Sequence, residues 1–257
     1  MIWNCVKYQF LFQCLYIMLL LPFETIACVS KLKRVIMTTE FIPLSNYQKN
    51  SDEEMNNLSE TFFQLMKTRR TVRDFSTDDV STKVIDNCIA TAGRAPSGAN
   101  QQPWHFVVVR DKEIKKAIRL AAEEEERKFY AGRAGEVWLD TLEHLGTDEH
   151  KPFLENAPVL IAIFEQKYSL SPDGEKVKHY YSKESTGIAT GLLITAIHNA
   201  GLVSLTHTPS PMNFLRKILK RPEGERPFLL LVVGHPAENT TVPDIQKKSL
   251  DTIRSEF

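Results

Sequence analysis

From Ser51 onward, apolar and polar positions follow clear periods. Met55, Leu58, Phe62 and Leu65 recur every three or four residues, the repeat of an amphipathic helix. Just before them "SDEE" offers a capping box, Ser51 with Glu54. A second helix carries Val84, Ile85, Cys88, Ile89 and Ala92 on one face and stops at Gly93. "WHFVVVR" (104–110) reads as a buried strand. Asp111 then caps a helix that runs through Ile114, Ala117, Ile118 and Ala121. "PVLIAIF" (158–164), "LVSLTHT" (202–208) and "FLLLVVG" (228–234) are three more strands. Residues 184–200 form an apolar helix carrying Gly187 and Gly191, ended by Gly201. Those small positions permit close packing, in the core or against a copy of the same helix. Pro211 opens a short helix. Helices and strands are mixed without regular alternation, which predicts an α+β layered domain.

The pattern before Ser51 is different. Residues 10–21 read "FLFQCLYIMLLL", and apolar character continues less cleanly to Val29. Lys7 precedes this segment, and Lys31, Lys33 and Arg34 follow it. Positive charge stays on the cytosolic side of a membrane, so residues 1–30 are expected to be a single-pass anchor with the body in the cytosol. A cleaved signal on a secreted protein is the alternative. Residues 31–50 read as a linker and 51–257 as one domain.

Charge and cysteine content narrow the chemistry. Lys plus Arg and Asp plus Glu are both 32, so the chain lacks the basic excess of a nucleic-acid protein. Three of the four cysteines lie in the N-terminal apolar segment, and no CxxC pair, HExxH or other metal signature occurs. No metal is expected. Cys88 reads as a small buried apolar residue, and His198 as a satisfied residue on an apolar helix. Neither GxGxxG after a strand nor GxxxxGK[ST] is present, so a nucleotide cofactor would be held in another way.

Arg69, Arg70 and Arg73 fall within five residues, directly after the first helix. Taken alone, such a cluster is an ordinary solvated helix end. It does not stand alone. "RRTVRDF" (69–75), "APSGANQQPWHF" (95–106) and "VVGHPAENTTVPDIQKKSLD" (232–251), in that order, resemble the nitroreductase family of flavoproteins. "EEEERKFY", "LENAPVLIAIF" and "NAGLVSLTHTP" are similar to the branch of that family that dehalogenates tyrosines. The resemblance covers about residues 60–257.

The resemblance implies a nitroreductase-like FMN-binding fold. Its central mixed or antiparallel sheet is flanked by helices, in an intertwined homodimer with each flavin at the interface. Arg69, Arg70 and Arg73 would hold the FMN phosphate, ribityl chain and pyrimidine end through paired, charge-assisted bonds. Thr71 and Val72 lie between them and would add backbone contacts. Lys247 stands where the family has a phosphate-contacting arginine. Pro96, Ser97 and Gly98 would turn the chain past the flavin, with the Ala99 N–H meeting a substrate phenolate. Thr206, His207 and Thr208 match a flavin-contacting threonine run. Thr208 would bond flavin N5, and His207 would contribute its backbone. Thr208 and Ala99 are thus the candidate catalytic positions.

The polar segment 123–151 is long for a connection and reads as a lid. Glu126, Tyr130 and Lys151 in it stand where the dehalogenating branch recognises its amino-acid substrate. The expected activity is reductive dehalogenation of halogenated tyrosines, with electrons ultimately from NADPH, directly or through a reductase. A general FMN-dependent nitro- or quinone reductase is the alternative. "PSGANQQPW" is nearer to the general family form.

Overall fold

The computed structural model describes residues 40–257 apart from 134, 136–139, 141 and 143–145. The expected anchor and part of the expected lid lie outside the described residues. The chain divides into two units, Met1–Asp52 and Glu53–Phe257. In the first, residues 40–49 are exposed, including Phe41, Ile42, Leu44 and Tyr47.

The second unit is organised by a four-stranded sheet. In chain order it uses β1 (Trp104–Val109), β2 (Val159–Gln166), β5 (Val203–His207) and β6 (Glu225–Gly234). Their spatial order is β1-β2-β6-β5, and every neighbouring pair is antiparallel. The long apolar runs of β2 and β6 follow from burial on both faces. On one face Leu160, Ala162, Phe164, Leu230 and Val232 pack under α3 (Lys112–Lys128), α4 (Phe153–Asn156) and α6 (Asn213–Ile218). On the other, Val159, Ile161, Ile163, Leu231 and Val233 meet α2 (Thr82–Ala92) and α5 (Ser182–Asn199). The β2–β6 register shifts between Ile163 and Phe164, opposite Leu229 and Pro227. A proline that cannot donate to the ladder is tolerated at such a bulge.

Local signals set the helix limits. α1 (Asp52–Lys67) starts one residue after Ser51. The Asp111 side chain accepts from Ile114 N at 2.9 Å, as a helix cap should. α5 stops before Gly201, whose φ of +80° suits only glycine without strain. His198 bonds the Leu65 carbonyl at 2.9 Å and the Thr68 hydroxyl at 3.0 Å, tying α5 to the end of α1. Cys88 is buried and unbridged.

Two expectations change, on β1 and on the lid, and two features, the exposure of α1 and a small hairpin, were not anticipated. β1 is half-buried, with Val108 37% exposed, because it lies at a sheet edge rather than in the middle. α1 has the expected periodicity, yet none of its residues is buried, and Met55, Leu58, Phe62 and Phe63 stay exposed. The first six residues of the expected lid, 123–128, are the last turns of α3, followed by a π-helical turn, Phe129–Arg133. A small hairpin, β3 (Tyr168–Leu170) with β4 (Lys176–Lys178), leaves no mark in the apolar pattern, since each strand is only three residues long.

Candidate functional site

The arginine stretch leaves α1 and runs along the open edge of β5. Thr71 bridges Ser204 in parallel, and Val72 N donates to the Ser204 carbonyl at 3.3 Å. Val72 is buried and fixes the strip in place. Arg69 and Arg70 line a cavity of about 390 Å³ with His198, Ser204, Asn239 and Thr240. Among the described residues, no carboxylate lines it. Thr71 and Arg73 line another of about 400 Å³ with Asp74, Thr241, Val242 and Pro243. Arg70 also donates to the Pro243 carbonyl, which docks the start of the C-terminal segment on the strip.

Arg73 reaches a third cavity of about 350 Å³, shared with Glu126, Tyr130, Lys151, Thr206, His207 and Thr208. Residues from α3, the π-helical turn, the approach to α4 and the end of β5 therefore converge. Lys151 Nζ lies 3.3 Å from Glu126 Oε2, and both side chains are largely buried. Lys151 also donates to the Asp148 carbonyl and stands 5.9 Å over the Tyr130 ring. The Tyr130 hydroxyl donates to the Thr147 carbonyl at 3.2 Å. Burial pushes the Tyr130 phenol up, so it remains a neutral donor at physiological pH.

His207 also lines this cavity, and its ring is buried, edge-on to Phe153 at 5.6 Å. Burial, with Lys151 and Arg73 nearby, lowers its pKa to about 3, so the ring is neutral. Its Nε2 has no hydrogen-bond partner among the described residues.

The Pro96–Ala99 turn lies elsewhere. It precedes β1, at the sheet edge opposite β5. Ala99, Asn100 and Gln102 all adopt left-handed backbone, with φ of 50°, 54° and 47°. Three such residues without glycine store strain, and strain of this kind gathers at functional sites. Neighbours hold the turn rigid. Ser97 Oγ accepts from Gln102 N at 2.9 Å, and Gln101 Oε1 accepts from Tyr180 N at 2.9 Å. The Pro103 carbonyl accepts from Gln166 N at 2.9 Å and Thr186 Oγ1 at 3.2 Å. A Cβ on Gly98 would sit 3.1 Å from the Tyr180 carbonyl oxygen, so glycine permits that approach.

The fold thus gathers Arg73, Glu126, Tyr130, Lys151 and Thr206–Thr208 in one cavity and places Arg69, Arg70 and Thr71 beside it. It does not bring Pro96, Ser97, Gly98, Ala99 or Lys247 to that cavity, and Lys247 is exposed. Sequence reasoning missed Phe129 and Phe153 in the wall, and Glu123 behind it. Glu123 sits one helical turn before Glu126 on α3, a spacing that was available as a signal. The donor set fits a phosphate ester such as FMN. Guanidinium groups line a cavity whose described walls carry no carboxylate, beside a strand end with hydroxyl and amide donors. Among the described residues, no group of three or more His, Cys, Asp or Glu could hold a metal ion.

A profile of the nitroreductase family matches residues 66–235. Iodotyrosine deiodinase of Haliscomenobacter hydrossis is 57% identical over 208 residues, 81% of this chain and 93% of that protein. Iodotyrosine deiodinase 1 of Homo sapiens is 45% identical over 215 residues, 83% of this chain and 74% of that protein. Among solved structures, oxidized iodotyrosine deiodinase bound to FMN and 3-iodo-L-tyrosine superposes with a TM-score of 0.64 at 31% identity, covering 74% of this chain and 96% of that one. A Bacteroides fragilis nitroreductase with bound FMN shares the fold, with a TM-score of 0.55 at 18% identity.

Proposed function

The chain belongs to the nitroreductase family, and we propose that within it this protein is an FMN-dependent oxidoreductase that removes halogen from halogenated tyrosines. One observation carries the reading: Glu126, Tyr130 and Lys151 share a cavity with Arg73 and Thr208. A general nitroreductase has no need of an opposed carboxylate and ammonium there. A zwitterionic amino acid does.

FMN, when bound, would supply the two electrons that, together with one proton, replace carbon–halogen with carbon–hydrogen, giving tyrosine and halide. The chain's own residues bind and orient. Arg69, Arg70 and Arg73 hold phosphate and carbonyl oxygens, with backbone support from Thr71 and Val72. Lys247 offers a further cation to the phosphate. Thr206, His207 and Thr208 border the flavin, with the Thr208 hydroxyl donating toward N5. Glu126 accepts from the substrate ammonium, Lys151 pairs with its carboxylate, and Tyr130 donates to it. Exclusion of water when a guest fills the cavity strengthens each contact. The Ala99 N–H, held by its strained turn, donates to the phenolate.

That last contact calls for a second copy. Pro96, Ser97, Gly98 and Ala99 lie at the sheet edge opposite the arginine strip, so a homodimer lets the turn of one chain face the strip of the other. The exposed Leu58, Phe62 and Ile188 support this, as does Gly191, which has open space around it. The exposed tail with Ile245, Leu250 and Ile253 would wrap the partner. The apolar segment before Val29 anchors the protein in a membrane with the catalytic body in the cytosol, supported by the basic residues that follow it. NADPH is the ultimate donor, directly or through a reductase.

Anaerobic turnover of iodo-, bromo- and chlorotyrosine by the FMN-loaded protein, with dithionite as reductant, tests the reading. Tyrosine and halide should form in equal amounts. Ready reduction of nitroaromatics with no dehalogenation would overturn it in favour of a general reductase.

A further inference from the structure

Lys151 is held by more than its side-chain partners. Its backbone N–H donates to Glu123 Oε1 at 2.9 Å, in a buried position. The other oxygen of the same carboxylate, Oε2, accepts from Arg119 Nη1 at 2.8 Å. Arg119 Nε reaches on to Glu155 in α4. The Lys151 carbonyl is also taken, by Leu154 N at 3.0 Å. Both backbone groups of Lys151 are therefore fixed, although Asp148 and His150 just before it are exposed.

A buried carboxylate is a costly way to satisfy one amide. A neutral side chain would serve packing alone. What the charge adds is rigidity: Arg119 locks Glu123, and Glu123 locks the point where the chain turns into α4. Glu123 and Glu126 lie on one helix, three residues apart, so they share a face. One helix thus sets both the carboxylate and the backbone origin of the ammonium opposite it.

We propose that Glu123, locked by Arg119, is a positioning residue for substrate recognition: it fixes the Lys151 backbone so that Glu126 and Lys151 stand at the separation a zwitterion needs. This rests on the halotyrosine reading and deepens it. Glu123 does not touch the substrate.

The test uses the FMN-loaded protein and two ligands, 3-iodo-L-tyrosine and 2-iodophenol, which keeps the ring and lacks the amino-acid end. Binding is read from quenching of flavin fluorescence, and exchange of the Lys151 amide by hydrogen–deuterium mass spectrometry. Glu123→Ala should weaken iodotyrosine binding about tenfold, as for one lost charge-assisted bond, with faster exchange at Lys151. Binding of 2-iodophenol and of FMN should stay within about twofold, the scatter of substitutions that touch neither ligand. Glu123→Gln keeps an acceptor for the amide but loses the pair with Arg119, and should fall between wild type and alanine. It also serves if the alanine variant does not fold. Iodotyrosine binding unchanged from wild type, or equal loss of both ligands, overturns the positioning role. A wild-type protein that binds no iodotyrosine overturns the functional reading itself, a result visible before any variant is made.

Discussion

The two edges of the sheet differ in kind. At the β5 edge, one chain builds walled cavities with opposed charges, Glu126 against Lys151, and with Arg73 beside the neutral His207 ring. At the β1 edge, the same chain builds a rigid, strained turn that stands apart from those cavities. Under the proposed reading, one edge recognises and the other presents. The difference then teaches where cooperation between chains would be needed: amino-acid recognition would be encoded within a protomer, while enclosure of the flavin would depend on an interface. The uncovered apolar face of α1 belongs to the second problem, because no described residue of its own chain buries it.

The comparison breaks most visibly at the interface. Phe62→Arg places a charge where an apolar face is expected to be covered, and a buried unpaired charge is strongly unfavourable. Dimer dissociation should rise by about 100-fold or more, equivalent to a few kcal/mol, and FMN should be lost with it. Sedimentation velocity with flavin absorbance reads both. A monomer that keeps its flavin would show that the β5 edge is sufficient by itself.

The next effect is confined to the β5 edge. Lys151→Ala leaves Glu126 with one partner fewer and removes the cation for a substrate carboxylate. Iodotyrosine should bind about 30-fold more weakly, as for a lost bond to a charged group, while FMN remains bound. Fluorescence titration checks this, and undiminished binding would remove Lys151 from the substrate site.

The smallest effect is one of pH. An ordinary histidine titrates at 6.5, and His207, beside Lys151, Arg73 and Phe153, is lowered to about 3. Between those values the unfolded chain takes a proton that the folded chain refuses. Stability from this group is therefore complete above 6.5 and falls as pH drops toward 3, by at most about 1.4 kcal/mol per pH unit. His207→Thr should flatten that slope in denaturant melts at pH 7.5, 6 and 5. Identical slopes would mean that the ring is solvated in the working protein.

Periodicity revealed most of the scaffold. Strands β2, β5 and β6 were readable because their apolar runs are too short for a helix and rich in β-branched and aromatic residues, and Asp111 and Gly93 marked helix limits correctly. What periodicity could not show was neighbours. It read β1 as buried, when the run lies at an edge, and gave α1 an apolar face without saying what covers it. The site divides in the same way. Arg73, Glu126, Tyr130, Lys151 and Thr208 could be named from motif resemblance. Glu123 could not, because it holds a backbone amide rather than the substrate, and only its helical spacing from Arg119 and Glu126 hinted at it. The positive φ angles of Ala99, Asn100 and Gln102 were equally silent, since none of the three is glycine.

Glu126 and Lys151 face each other at 3.3 Å. A guest with only an ammonium, or only a carboxylate, exchanges one contact for another and strands a charge. A guest with both turns one ion pair into two. In logical terms the pair computes a conjunction: both signs together open it, and either alone does not. Tyramine and 3-(4-hydroxyphenyl)propionate, in their iodinated forms, should each bind little better than 2-iodophenol, and far below 3-iodo-L-tyrosine. If either half-substrate binds as well as the amino acid, the pair is no gate.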